Sequence, residues 1–213
     1  MATKFKAILF DLDGTLRDTI DVIYDALEHA IEFHTGKRPG REVIAPHIHH
    51  HTAVHAALLP EVSLRDWEKT YYEKVEQKRD EWMLFHQTIE VLESLHAKGY
   101  ALAIVTSARQ DTSEEFLKQK GIHSFFASIS GMREGVKPKP APDLVLRALD
   151  EIGCEPAEAL MVGDMTVDVT AAHAAGVQCV GITHGFGSRE ELEAAGADFI
   201  IDSLGELENY LDS

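Results

Sequence analysis

The chain is poor in cysteine: Cys154 and Cys179 are the only two among 213 residues. Two thiols cannot build the cross-linked framework of a small secreted fold. They read as reduced thiols, and the protein as cytoplasmic. No apolar run is long enough to span a bilayer. The start Met1-Ala2-Thr3-Lys4-Phe5-Lys6 leads into a short apolar run that ends in Asp, which is not a signal-peptide pattern. Positive charge is also scarce. Lys and Arg number 20 against 36 Asp and Glu, for a formal net charge of −16. A field of that sign speaks against nucleic acid and against an anionic membrane surface as partners. An anionic small molecule fits only where local cations or a metal overcome it. Internal repeats and low-complexity tracts are missing too. What is present is 45% hydrophobic content, enough for one large domain or for one domain with an insertion.

The most informative stretch is Asp11-Leu12-Asp13-Gly14-Thr15-Leu16, directly after the apolar run Ala7-Ile8-Leu9-Phe10. Four consecutive apolar residues predict a strand buried on both faces, as in a parallel sheet. Its carboxyl end is the edge where ligands of open α/β sheets bind. Side chains alternate along a strand, so positions 11 and 13 share a face. Gly14 permits a sharp turn that aims the two carboxylates at one site. Asp18 is placed to cap a helix carrying Ile20, Ile23, Tyr24, Leu27, Ile31 and His34. Ser63 opens a long charged helix with Trp67, Tyr71, Val75 and Trp82. No convincing strand occurs between Arg17 and Met83, which reads as a helical insertion. Strands and helices then alternate. Strands are expected at Ala101 to Val105, Phe125 to Ile129, Ala159 to Val162, Gln178 to Ile182 and Phe199 to Ile201. Such alternation implies a parallel sheet with right-handed crossovers.

The residues after each strand carry the chemistry. They are Asp11 and Asp13, then Thr106 and Ser107, then Lys137, then Asp164 with Asp168 one helical turn on. Clustered carboxylates repel unless a cation sits among them. Oxygen ligands without His or Cys suit Mg²⁺. A phosphate accounts for the rest, neutralised by metal and lysine and hydrogen-bonded by Thr106 and backbone N–H groups. Lys139 is a rival for the ammonium role, and the proline spacing favours Lys137. Arg109 and Arg17 lie near the same edge. Each is either a substrate contact or a solvent-exposed salt-bridge partner.

Taken together, these features resemble the haloacid dehalogenase-like hydrolase superfamily. Asp11-Leu12-Asp13-Gly14-Thr15-Leu16 matches its first motif and Val105-Thr106-Ser107 its second. Lys137-Pro138-Lys139-Pro140-Ala141-Pro142 matches the third, and Gly163-Asp164-Met165-Thr166-Val167-Asp168 the fourth. The tail Gly185-Phe186-Gly187-Ser188-Arg189-Glu190-Glu191-Leu192, with Ala195-Gly196-Ala197-Asp198, looks most like the phosphoglycolate-phosphatase-like branch. The resemblance implies an α/β fold, with a Rossmann-like parallel sheet core flanked by helices over residues 1–16 and 84–213. It implies an inserted α-helical cap over residues 17–83.

The same resemblance implies a Mg²⁺-dependent hydrolase of phosphoric monoesters, acting on a small phosphorylated metabolite, with phosphoglycolate-like esters as first choice. Asp11 is then the nucleophile and Asp13 the acid and base. Thr106 and Lys137 orient and neutralise the phosphoryl group. Ser107, Gly14, Thr15 and Arg109 are expected near the substrate. The metal is expected on Asp11, the Asp13 backbone carbonyl and Asp164, with Asp168 ligating directly or through water. Pyrophosphatase, sugar phosphomutase and a non-catalytic binding protein are the alternative readings. Two features depart from the family pattern. His47, His49, His50, His51 and His55 crowd the insertion. On one helix His47, His51 and His55 would share a face, a spacing that can bind zinc if further ligands exist. The second departure is Leu84-Phe85-His86-Gln87-Thr88, where many relatives have Pro-Gly. There the chain is expected to cross back into the core through an altered hinge.

Overall fold

The computed structural model describes residues 5–48 and 51–212. In chain order its elements begin with β1 (Ala7–Phe10), β2 (Arg17–Asp18), α1 (Ile20–Thr35), α2 (Arg41–Ile44), α3 (His51–Leu58) and α4 (Leu64–Gln77). There follow β3 (Met83–Leu84), α5 (Thr88–Ala97), β4 (Ala101–Arg109), α6 (Gln110–Gln119), β5 (Phe126–Met132) and α7 (Asp143–Ile152). The chain closes with β6 (Ala159–Gly163), α8 (Thr166–Ala174), β7 (Gln178–Ile182), α9 (Arg189–Ala194), β8 (Phe199–Ile201) and α10 (Leu207–Leu211). The chain divides into two compact units. One holds the residues up to Arg17 and from Leu84 on, and the other is Asp18–Met83.

The first unit is built on a six-stranded sheet in the order β5-β4-β1-β6-β7-β8. Every neighbouring pair is parallel. All four residues of β1 are fully buried. Burying side chains such as Ile8, Leu9 and Phe10 contributes about 1.5–3 kcal/mol each, enough to make β1 the centre of the sheet. From β1 the chain steps outward to β4 and β5, then returns to the other side of β1 for β6, β7 and β8. That reversal opens a crevice at the carboxyl ends of β1, β4 and β6. Phe10 is level with Ile104 on one side and Val162 on the other. Asp11, Val105 and Gly163 therefore emerge at the same height. One face of the sheet is packed by Leu144, Val145 and Leu149 of α7 and by Val169, Ala171 and Ala172 of α8.

The second unit is helical and has its own core, centred on Leu27, Ile31, Ile44, Val54, Leu59 and Trp67. Ser63 caps α4, its hydroxyl accepting the Asp66 N–H at 3.2 Å. Three expectations need correction. Two strands do occur at the ends of the expected insertion: β2 and β3 pair as a two-stranded sheet. Trp82 is not on α4, which ends at Gln77 and is followed by a separate turn at Arg79–Glu81. At the start of α1 the capping position is Thr19, and Asp18 accepts only the Ile20 N–H, at 3.4 Å.

The histidines do not form one helical face. His47 lies in a separate turn, Ala45–His47, while His51 and His55 belong to α3. His49 and His50 lie outside the described residues. The His55 ring nitrogen Nε2 is bonded to the Val62 carbonyl at 2.7 Å. His51 stacks on Tyr71 with ring centres 5.0 Å apart, and its Nε2 is 3.3 Å from Glu68. A nearby carboxylate would favour the charged ring. Burial first, and then His55, outweigh it and push the His51 pKa down to about 4. Among the described residues no histidine joins a group of metal-binding side chains.

Candidate active site

Asp11 leaves β1 with its N–H donating to the Val162 carbonyl at 2.9 Å, so the strand's pairing carries one residue into the site. The chain then turns tightly: the N–H groups of Leu16 and Arg17 both donate to the Leu12 carbonyl, at 3.0 and 2.8 Å. Gly14 sits in this turn at φ 88°, and a Cβ there would lie 2.2 Å from an Asp164 oxygen. Glycine thus meets both a backbone requirement and a close approach. Asp164 follows β6. Its Oδ1 accepts the Thr15 hydroxyl at 3.0 Å, and its Oδ2 accepts the Phe186 N–H at 2.8 Å. A Cβ on Gly163 would lie 2.4 Å from the Asp168 Cβ, so its absence lets α8 begin close against the strand. Asp168 accepts the Met165 N–H on Oδ2 at 3.0 Å, securing the first turn of α8.

Asp11, Asp164 and Asp168 each place a carboxylate oxygen within 4.8 Å of the others, all three buried. The Lys139 ammonium reaches two of them. Lys139 Nζ donates to Asp11 Oδ1 and to Asp168 Oδ1, both at 2.5 Å, and to the Val105 carbonyl at 3.2 Å. Three carboxylates and one ammonium leave a formal charge of −2 when all are ionised. Burial above all raises the Asp11 carboxyl to about 7. Asp168 and Asp13 add to that, and Lys139 opposes it. Burial likewise holds Asp164 well above the ordinary carboxylate range, helped by Asp11 and Asp168. Burial also works against the Lys139 ammonium, but the two carboxylates it touches outweigh this and raise its pKa. These shifts mark a cluster that lacks about two positive charges.

The lysine corrects the sequence expectation. Lys137 is exposed, and Lys139 is the residue buried in the cluster. The two stand two residues apart in a Lys-Pro-Lys-Pro segment, and their burial is what separates them. Arg109 is exposed and forks onto Asp111 at 3.1 and 2.6 Å, as its salt-bridge reading expects. Thr15 and Gly14 touch Asp164, so they shape a carboxylate rather than present a free substrate contact. Thr106 is buried at the carboxyl end of β4, next to the Val105 carbonyl that Lys139 uses, and its Oγ1 accepts the Ala108 N–H at 3.1 Å. Ser107 is half-buried beside it.

Arg17 is not a solvent-exposed partner. It is buried, and it forks onto Asp13 at 2.8 and 2.7 Å. The role of the Phe186 N–H was not anticipated from sequence; the Gly-Phe-Gly spacing at residues 185–187 is the signal that could have found it. An acid cluster short of positive charge, with a second carboxylate two residues from the first, can bind a divalent cation and transfer an electrophilic group to Asp11.

Known proteins similar to this chain give its family. A family model described as haloacid dehalogenase-like hydrolase matches residues 8–182. Pyrophosphatase PpaX of Bacillus velezensis is 33% identical over 210 residues, covering 96% of this chain and 95% of that protein. A haloacid dehalogenase-like family hydrolase from Streptococcus pneumoniae has a TM-score of 0.85 at 28% identity, covering 97% of this chain and 98% of that one. A predicted phosphoglycolate phosphatase from Haemophilus somnus has a TM-score of 0.83 at 24% identity, covering 99% of both chains, a likeness of fold. The matched segment runs from within β1 to the end of β7 and contains Asp11, Lys139, Asp164 and Asp168. The chain therefore belongs to the haloacid dehalogenase-like hydrolases.

Proposed function

We propose that the protein is a Mg²⁺-dependent phosphatase that hydrolyses small phosphorylated metabolites through an aspartyl phosphate on Asp11. The observation that carries this reading is the buried Asp11, held by Lys139 at the end of the central strand beside Asp164 and Asp168. The donor set fits the metal. It is all oxygen, it is short of positive charge, and within this cluster it has no His or Cys. Asp11 and Asp164 would hold the ion with the Asp13 carbonyl, and Asp168 directly or through water. Once bound, the ion supplies charge that steadies the phosphoryl oxygens.

The chain's own groups do the rest. Lys139 fixes the rotation of the Asp11 carboxylate and neutralises part of the incoming charge. An Asp11 oxygen bonds to phosphorus as the bond to the leaving oxygen breaks, and Asp13 gives that oxygen a proton. Asp13 then takes a proton from water, whose oxygen displaces Asp11 from phosphorus. Thr106 hydrogen-bonds the phosphoryl group. The helical unit, inserted directly after the acid motif, is in this reading the cap that selects the substrate.

Phosphoglycolate-like monoesters are the first choice of substrate. Pyrophosphate is the second, favoured by the 33% identity to a pyrophosphatase over nearly the whole chain. The test is phosphate release from a panel of esters and pyrophosphate, with Mg²⁺ or with EDTA, for the parent protein and Asp11→Asn. Release that EDTA abolishes and Asp11→Asn lowers by about 10³-fold or more is expected. Full Mg²⁺-dependent activity in Asp11→Asn would overturn the reading. Isomerised sugar phosphate instead of free phosphate would mark a mutase.

A further inference from the structure

We infer that Arg17 is a positioning residue for Asp13, fixing the direction in which that carboxylate meets the leaving oxygen and the hydrolytic water. The inference rests on the reading of Asp13 as acid and base. Arg17 Nε donates to Asp13 Oδ1 at 2.8 Å and Nη2 donates to Oδ2 at 2.7 Å. This two-point fork sets both the place and the plane of a carboxylate, which a lysine's point charge cannot do. The two partners are unequal. The Arg17 side chain is 3% exposed and that of Asp13 is 21% exposed, so the cation is the fixed member and the carboxylate the one that faces outward.

The fixing has identifiable supports. The guanidinium carbon lies 4.8 Å from the ring centre of Phe116, on α6. Its own backbone is tied into the motif turn: Arg17 N–H donates to the Leu12 carbonyl at 2.8 Å, and Gly14 N–H to the Arg17 carbonyl at 2.9 Å.

A purely structural role and a positioning role differ in their dependence on the leaving group. In the first step an Asp11–phosphorus bond forms and the phosphorus–leaving-oxygen bond breaks. Nitrophenolate departs without a proton, whereas an alkoxide needs one. In the second step water loses a proton to Asp13 whatever the substrate was. Arg17→Met keeps a stem against Phe116 and removes the fork. With 4-nitrophenyl phosphate it is expected to give a burst approaching one nitrophenolate per active site, followed by a steady rate about 30- to 100-fold below the parent. With an alkyl phosphate no burst is expected, and kcat falls at least as far while KM stays within about threefold.

Arg17→Lys should show the same split at smaller amplitude, and it serves if Arg17→Met folds poorly. Unchanged kcat on both substrates, or an equal loss in the burst and the steady phase, would overturn the inference. Asp13→Asn separates the two levels. If it shows the burst with 4-nitrophenyl phosphate and the Arg17 variants do not, Arg17 alone is wrongly assigned. If it keeps parental turnover on the alkyl ester, the acid–base reading of Asp13 falls with it.

Discussion

At Lys139 burial and charge oppose one another, and charge wins. An ammonium this deep would lose its proton in apolar surroundings, but two carboxylates at 2.5 Å keep it charged. Lys139→Met should therefore lower kcat by about 10²–10³-fold, as loss of a group aimed at developing charge does. Lys137→Met should leave kcat within about twofold, as an exposed surface substitution does. Steady-state kinetics on one phosphate ester decides it, and the reverse ranking would refute the geometry. Asp11 and Asp164 were legible in sequence because each closes an apolar run that reads as a strand, and Asp168 because it stands one helical turn beyond Asp164. The lysine was not. Positions 137 and 139 are both flanked by proline, and only burial tells them apart. The burial of Arg17 was missed for a related reason. A charged residue beside a motif reads as solvated until a partner such as Asp13 and a ring such as Phe116 are seen to enclose it.

The element that opens least comfortably is α5. Gln87 precedes it at φ 65°, the only non-glycine residue with positive φ among the described residues. A side chain in this region costs about 1–2 kcal/mol, which glycine avoids. The Gln87 side chain also packs close to Gly205, which offsets part of that cost. Gln87→Gly is expected to stabilise the protein by about 1 kcal/mol and to raise Tm by about 2–4 °C. Thermal unfolding checks this, and a fall in Tm would show that the packing of the Gln87 side chain outweighs the strain. The altered hinge was visible in sequence as a missing Pro-Gly; its left-handed backbone was not. Strand existence was legible from apolar runs, strand length less so. β4 continues past Val105 to Arg109 across a bulge, after which Arg109 lies level with Met132 of β5. Periodicity carried α4 too far, to Trp82, because a short turn after Gln77 keeps the tryptophan buried without continuing the helix.

Over the whole molecule, an acidic chain of formal charge −16 concentrates an uncompensated −2 at the centre of its sheet. Asp11 titrates near 7 in the fold, above the ordinary carboxylate value, so the folded state holds protons that the unfolded state has released. Without metal this makes the cluster's contribution to stability fall as pH rises from about 4 to about 7. Mg²⁺ competes with those protons, so the rise in Tm on adding Mg²⁺ should grow from pH 5.5 to about pH 8 and then level off. At a free concentration 100 times its Kd the ion adds about 2.7 kcal/mol. Asp164→Asn should be more stable than the parent without Mg²⁺ and respond little to it. A Mg²⁺ response that is independent of pH, or that survives in Asp164→Asn, would place the ion elsewhere. The central claim is that phosphorus passes through Asp11. Its most direct test is a rapid acid quench of Asp13→Asn turning over 4-nitrophenyl phosphate with Mg²⁺, followed by peptide mass spectrometry. A phosphoryl group on the peptide at Asp11, convertible by borohydride reduction at that one residue, is the predicted result. A peptide free of label at Asp11 during nitrophenolate release, or a phosphoryl group on another residue, would contradict it.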